Sequence, residues 1–194
     1  MPQRSPDPKS TALPSDELAG AEETLAALRT VLHGIGEDDW SKKTPCRKFD
    51  VRQLTDHLLN SITQIGGAAG ASFPPRDESA PVETQVMDAA RAALDAWRRR
   101  GLDGTVALGP NEGPAEVFAG ILSIEFLVHA WDYAMATGQQ VDVPDALSDY
   151  VLSLGTQIIT RRDGTAFDEP VTIPEEAGAL DRLIAFTGRD PARR

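Results

Sequence analysis

The most constraining feature of this sequence is a long segment that would be apolar on nearly every side if it formed a helix. Between Pro114 and Gly138, aliphatic and aromatic residues occur around the whole helical circumference. A helix that is hydrophobic all round is typical of a buried, central helix. Glu125, His129 and Asp132 interrupt this apolar surface, and buried ionisable groups are costly unless they are paired or bound to a metal. The sequence therefore predicts an all-α fold built around this helix, with a partner for each of these three side chains.

Apolar residues at intervals of three and four predict further helices on both sides of this segment. The predicted helices cover residues 16–33, 51–66, 83–100, 111–138, 144–160 and 175–186. Residues 105–108 are predicted to form a short strand, and residues 171–173 an extended stretch. Residues 1–14, rich in proline and polar side chains, are expected to be a disordered tail. Residues 15–191 are therefore predicted to form one domain.

Charge and cysteine content limit the classes of partner and compartment. The chain has 19 Lys and Arg against 30 Asp and Glu, a net charge of -11, which argues against binding to nucleic acid or to an anionic membrane. The N-terminus has no apolar signal region, and charge breaks each long apolar run, so no membrane span is expected. Cys46, the single cysteine, excludes an intrachain disulfide and is expected to be a small buried residue rather than a nucleophile. These features predict a cytoplasmic protein.

Three side chains form a candidate metal site. Glu125 and His129 lie four residues apart, which places them one turn apart on the same face of a helix. His57 borders the apolar stripe of the helix predicted at residues 51–66, so its imidazole would face a neighbouring helix. Three protein ligands leave a coordination position open, which is the condition for a catalytic site. Asp132, three residues after His129, is the candidate to accept a hydrogen bond from a ligating imidazole.

Each of these residues also has a simpler interpretation. Glu125 would form a buried ion pair with an arginine, Arg52 or Arg91, and His57 would be a hydrogen-bonded core histidine. His33, at a helix C-terminus, is explained by the helix dipole and is not expected to bind a metal. Residue spacing alone leaves both interpretations open.

Two longer motifs resemble a bacterial family. Residues 44–59 read TPCRKFDVRQLTDHLL, which is similar to the T-P-C-x-x-[WF]-x-V-x-x-L-x-x-H-L signature of DinB-like proteins of the mycothiol-dependent maleylpyruvate isomerase N-terminal type. Residues 125–139 read EFLVHAWDYAMATGQ and resemble the E-x-x-x-H-x-W-D-x-A-x-A-T-G segment of the same family. The ending at residues 170–191, PVTIPEEAGALDRLIAFTGRDP, is similar to small actinobacterial members of this group.

The resemblance implies a DinB-like four-helix bundle with one or two additional helices and at most very short strands. It also implies a divalent metal, zinc or nickel, held by the histidine of the first motif and by the glutamate and histidine of the second. Those positions are His57, Glu125 and His129, the three that spacing and burial single out. The full isomerase carries an additional C-terminal domain, and this chain is too short to contain one of that kind.

The sequence leads to one principal functional hypothesis and two alternatives. The principal hypothesis is an enzyme that uses a low-molecular-weight thiol, mycothiol or a similar molecule, to isomerise a small electrophile or transfer sulfur to it. The first alternative is a hydrolase whose water is activated by the same metal. The second is a non-catalytic metal-binding or dimerising, stress-related bundle, and a homodimer is a possible assembly for the chain. Turnover that requires a thiol would distinguish the first hypothesis from the non-catalytic bundle.

Overall fold

The computed structural model describes residues 12–46, 49–160, 162 and 167–192, and these residues contain six α-helices and one small sheet. The helices are α1 (Glu17–His33), α2 (Val51–Ala68), α3 (Val82–Arg100), α4 (Ala115–Thr137), α5 (Asp145–Ile158) and α6 (Ala179–Phe186). One turn of 3-10 helix spans Glu37–Asp39, and the strands are β1 (Thr105–Leu108) and β2 (Asn111–Pro114). The predicted all-α class with very short strands is confirmed. The predicted disordered tail falls mainly on residues 1–11, which lie outside the described residues.

The first four helices pack in a ring. α1 packs along α4, α4 against α2, α2 against α3, and α3 back against α1. Their shared core is aliphatic, with Trp97, Phe126 and Tyr133 as the large aromatic side chains buried within it. The last two helices, α5 and α6, pack on each other and on α4. The fold is therefore a four-helix bundle with two additional helices.

The fourth helix, α4, contacts apolar residues on two opposite sides, which explains its uniform hydrophobicity. Phe126 and Tyr133 point into the four-helix core. Leu127 and Val128 belong to a second apolar cluster with residues of α5 and α6. Because both sides are covered by protein, α4 needs no polar face. The prediction of a central, buried helix is confirmed.

The start of α2 is fixed by a reciprocal pair of hydrogen bonds. The Asp50 carboxylate accepts from the backbone N–H of Gln53 at 2.9 Å, and the Gln53 side-chain oxygen accepts from the backbone N–H of Asp50 at 3.0 Å. This capping box satisfies two backbone donors that the helix itself cannot. It sets where α2 begins, and so it sets the position of His57 two turns later.

Two predicted boundaries were wrong for local reasons. Residues 111–114 were predicted as the opening of α4, but they form β2, which pairs antiparallel with β1. The turn between the strands contains Gly109 at φ 59, a left-handed conformation that glycine adopts without a steric penalty. The final helix was predicted from residue 175 and begins at Ala179, because the chain first makes a turn in which the Ala177 N–H donates to the Pro174 carbonyl. Residues 171–173 belong to no strand of the described chain.

Among the described residues, one helix is long and apolar enough to cross a membrane by length and composition. It is Ala115–Thr137, and 78% of its most apolar window is buried inside the protein. The core helix of a globular bundle passes the same test of length and hydropathy. The packing of α4 on both sides accounts for its apolar composition without a membrane.

Candidate metal centre

Packing of α2 against α4 brings the three predicted ligands together. The Nε2 atom of His57 lies 3.7 Å from Glu125 Oε2, and the Nε2 atom of His129 lies 3.5 Å from the same oxygen. One ligand atom from each of the three residues lies within 4.8 Å of the other two. Two imidazole nitrogens and one carboxylate oxygen thus converge on one point between the helices.

Glu125 Oε2 is buried and has no hydrogen-bond partner. Neither predicted arginine reaches it, since the Arg52 guanidinium stacks on Trp40 at 4.2 Å and Arg91 lies 3.4 Å from Asp88. Burial raises the pKa of the Glu125 carboxyl, but the nearby imidazoles outweigh this effect and lower the pKa below its ordinary value. A buried carboxylate oxygen without a hydrogen bond is costly, and a cation at this point would satisfy it.

Neighbouring side chains hold the His57 ring in place. The Phe49 ring stacks on it with centroids 5.1 Å apart, and the His129 ring meets it edge-on at 5.2 Å. The His57 side chain is 36% exposed, whereas that of His129 is 7% exposed. Burial lowers the pKa of His57. His57 therefore forms the side of the cluster that reaches solvent.

A second set of contacts holds His129 at Nδ1, the ring nitrogen that does not face Glu125. Its Nδ1 atom lies 2.9 Å from Asp132 Oδ2, as the sequence spacing predicts. Asp132 is fully buried, and Arg189 donates to both of its carboxylate oxygens at 2.8 Å. Burial disfavours a charged His129, but the hydrogen bond to Asp132 and the nearby Glu125 carboxylate raise its pKa to about 9. Arg189 was missed by the sequence reasoning, although an aspartate in so apolar a helix requires a cation nearby.

A small cavity of about 130 Å³ opens beside the cluster. Its walls are formed by Cys46, Phe49, His57, Ile124, Glu125, Val128, His129, Phe167 and Arg189. Cys46 was predicted to be a small buried residue, but it is only half-buried and lines this cavity. The third histidine, His33, is exposed and lies elsewhere, with its Nδ1 atom 2.8 Å from Glu83 Oε2.

Two of the three donor separations are close to those around a tetrahedral ion. Donors about 2.0–2.2 Å from zinc in a tetrahedral arrangement lie roughly 3.4 Å from one another. The two separations from Glu125 Oε2 are 3.5 and 3.7 Å, and the two imidazoles offer donor atoms within 4.8 Å of each other. The ligand set of two imidazoles and one carboxylate is also one that zinc uses in catalytic sites. The residues present therefore fit a divalent metal, and the cavity lies on the side that the protein leaves open.

Fold and cluster together define a helical-bundle protein with a His–Glu–His group between two of its helices. Residues 21–134 match the family described as mycothiol maleylpyruvate isomerase N-terminal domain. The chain belongs to this family, which makes it a mycothiol-related, DinB-like protein. The matched region contains His57, Glu125, His129 and Asp132 and ends before Arg189.

Two curated relatives come from two strains of Mycobacterium tuberculosis. Both are described as uncharacterized proteins, and each is 29% identical over 178 residues, which covers 90% of this chain and 98% of the relative. The likeness thus extends over nearly the whole length of these proteins. No solved structure matches the chain significantly.

Proposed function

We propose that this protein is a divalent-metal-dependent enzyme that uses a low-molecular-weight thiol, mycothiol or a similar molecule, to isomerise a small electrophile or transfer sulfur to it. The observation that carries the proposal is the buried, unbonded Oε2 atom of Glu125 between the Nε2 atoms of His57 and His129. Zinc suits this donor set and spacing best, and nickel is the second candidate. The association of the family with mycothiol supports the choice of thiol.

The residues of the site have two different roles, binding the ion and orienting a ligand. His57, Glu125 and His129 would hold the ion, and Asp132 accepts the Nδ1–H of His129, which leaves the His129 Nε2 atom to bind it. A bound divalent ion would lower the pKa of a thiol so that it is a thiolate nucleophile at neutral pH. Ion and nucleophile would then sit where the electrophile enters the cavity.

The cavity walls favour a sulfur ligand over water. Phe49, Ile124, Val128 and Phe167 contribute much of the lining, and such apolar side chains offer no hydrogen bonds to a hydroxide. A volume of about 130 Å³ accommodates only the sulfur-bearing end of a thiol as large as mycothiol, so the rest would lie outside. The half-exposed edge at His57 is the opening through which it would pass.

Thiol-dependent turnover by the metal-loaded protein tests the proposal. Maleylpyruvate, which the family name specifies, and a panel of other small electrophiles are incubated with zinc-loaded protein, with and without mycothiol. We expect turnover that requires the thiol, disappears in His57→Ala and persists in His33→Ala, the matched control at an exposed histidine. Turnover without thiol would favour the metal-dependent hydrolase instead, and no turnover with any electrophile would favour a non-catalytic bundle.

A further inference from the structure

Arg189 lies in the segment that follows α6, yet its guanidinium is buried beside the metal-site cluster. Its side chain is 7% exposed, and it lines the same cavity as His57, Glu125 and His129. Nε donates to Asp132 Oδ1 and Nη2 donates to Asp132 Oδ2, both at 2.8 Å. This two-point contact fixes the plane of the carboxylate as well as its position.

The fixed carboxylate in turn determines how His129 is presented. Asp132 Oδ2, which accepts from Arg189 Nη2, also lies 2.9 Å from His129 Nδ1. With Nδ1–H directed at this oxygen, the ring presents Nε2 toward Glu125 and His57. Without Arg189, the Asp132 carboxylate would lose both guanidinium hydrogen bonds and would be free to rotate.

The backbone conformation around Arg189 fixes the position from which its side chain reaches Asp132. Gly188 has φ 84, and a Cβ atom there would lie 2.6 to 2.9 Å from atoms of Asp168. Only glycine meets both demands, the left-handed conformation and the close approach. The Arg189 N–H then donates to the Ile184 carbonyl at 3.3 Å. The C-terminal segment is thus anchored to α6 on one side and to a neighbouring loop on the other.

We infer that Arg189 is a positioning residue of the metal centre, which acts through Asp132 to hold the His129 imidazole in its metal-binding orientation. This inference rests on the proposed metal site. It means that the site is completed by a residue that lies 55 positions beyond the family-matched region, which ends at residue 134. A role limited to stability would leave metal affinity unchanged, so the two roles differ in a measurable quantity.

The first test compares zinc affinity by chelator competition in the wild-type protein, Arg189→Gln and Arg182→Gln. Arg182 is the matched control, an arginine of α6 that pairs with Asp149 at 2.8 Å on the surface. We expect Arg189→Gln to bind zinc about 10- to 100-fold more weakly and Arg182→Gln to bind as the wild type does. Unchanged affinity in Arg189→Gln would overturn the inference.

The second test does not require metal. In the metal-free protein, the Nδ1 proton of His129 is buried against Asp132 and should give a slowly exchanging downfield proton resonance. We expect this resonance to be lost in Arg189→Gln and retained in Arg182→Gln; its persistence in Arg189→Gln would overturn the inference even if the wild type bound no zinc. If Arg189→Gln does not fold, Arg189→Lys replaces it in both tests. This variant keeps the charge but lacks the two-point contact. Zinc affinity and a His129 resonance equal to those of the wild type would then refute the positioning role.

Discussion

The buried pair of Asp132 and Arg189 leads to a quantitative prediction about stability. Asp132 is fully buried and the Arg189 side chain is 7% exposed, so neither charge has water as a substitute partner. Removing Arg189 takes two hydrogen bonds from the buried Asp132 carboxylate and leaves His129 as its remaining partner. Breaking a buried pair in this way costs about 3–5 kcal/mol. Arg189→Leu should therefore lower the free energy of unfolding by that amount. At roughly 2–4 °C per kcal/mol for a domain of this size, the melting temperature should fall by roughly 6–20 °C.

A variant that lacks both side chains shows how far the stability loss comes from breaking the pair rather than from removing either residue. Asp132→Leu together with Arg189→Leu removes both charges, leaving the His129 Nδ1–H without an acceptor, which costs about 1–3 kcal/mol. The double variant should thus be more stable than Arg189→Leu alone. Urea denaturation in the presence of a chelator measures the unfolding free energies of the wild type, Asp132→Leu, Arg189→Leu and the double variant without a contribution from metal. A loss of less than about 1 kcal/mol in Arg189→Leu, or single losses that simply add in the double variant, would refute the mutual dependence of the two side chains.

Three further predictions concern metal, pH and helix packing. Zinc at about 1,000 times its Kd should raise the stability of the wild type and of His33→Ala by about 4 kcal/mol, measured by thermal melting; an equal rise in His57→Ala would contradict the ligand assignment. In the metal-free protein the pKa of His129 is raised from 6.5 to about 9, so its contribution to stability is complete below pH 6.5 and lost as pH rises through about 9. The urea concentration at the unfolding midpoint should fall over that pH interval. A similar fall in His129→Gln would show that another group causes it. Gly66→Ala would place a Cβ 2.7 Å from a side-chain carbon of α3, whereas Gly67→Ala meets nothing within 4 Å. The first should destabilise by about 1–3 kcal/mol and the second should stabilise slightly by the same denaturation assay; equal effects would show that α2 and α3 do not approach so closely.

Much of the architecture could be predicted because its signals are local. The capping box of Asp50 and Gln53 marks the start of α2 within the sequence itself. The all-round hydrophobicity of α4 indicated its central position, and spacing placed Glu125 and His129 on one face. These features depend on residues within one or two helical turns of each other, which is the range that sequence patterns describe.

Long-range contacts at the site were harder to predict. Cys46 lines the cavity from the loop before α2, and Arg189 reaches Asp132 from 57 residues away along the chain. No periodic pattern links residues so far apart. The error at residues 111–114 has another origin. Pro114 suits the first turn of a helix, but residues 111–114 pair with β1 and the helix begins only after them. The alternative of an ion pair between Glu125 and Arg52 or Arg91 was wrong, because both arginines lie on outward faces of their helices.

We expect His57, Glu125 and His129 to bind one divalent metal ion. Isothermal titration calorimetry of the metal-free, tag-free protein with zinc measures this binding, beside His57→Ala and the exposed-histidine control His33→Ala. About one zinc per chain should bind to the wild type and to His33→Ala, with binding strongly weakened in His57→Ala. No saturable binding by the wild type, or equal binding by all three proteins, would rule out this metal site.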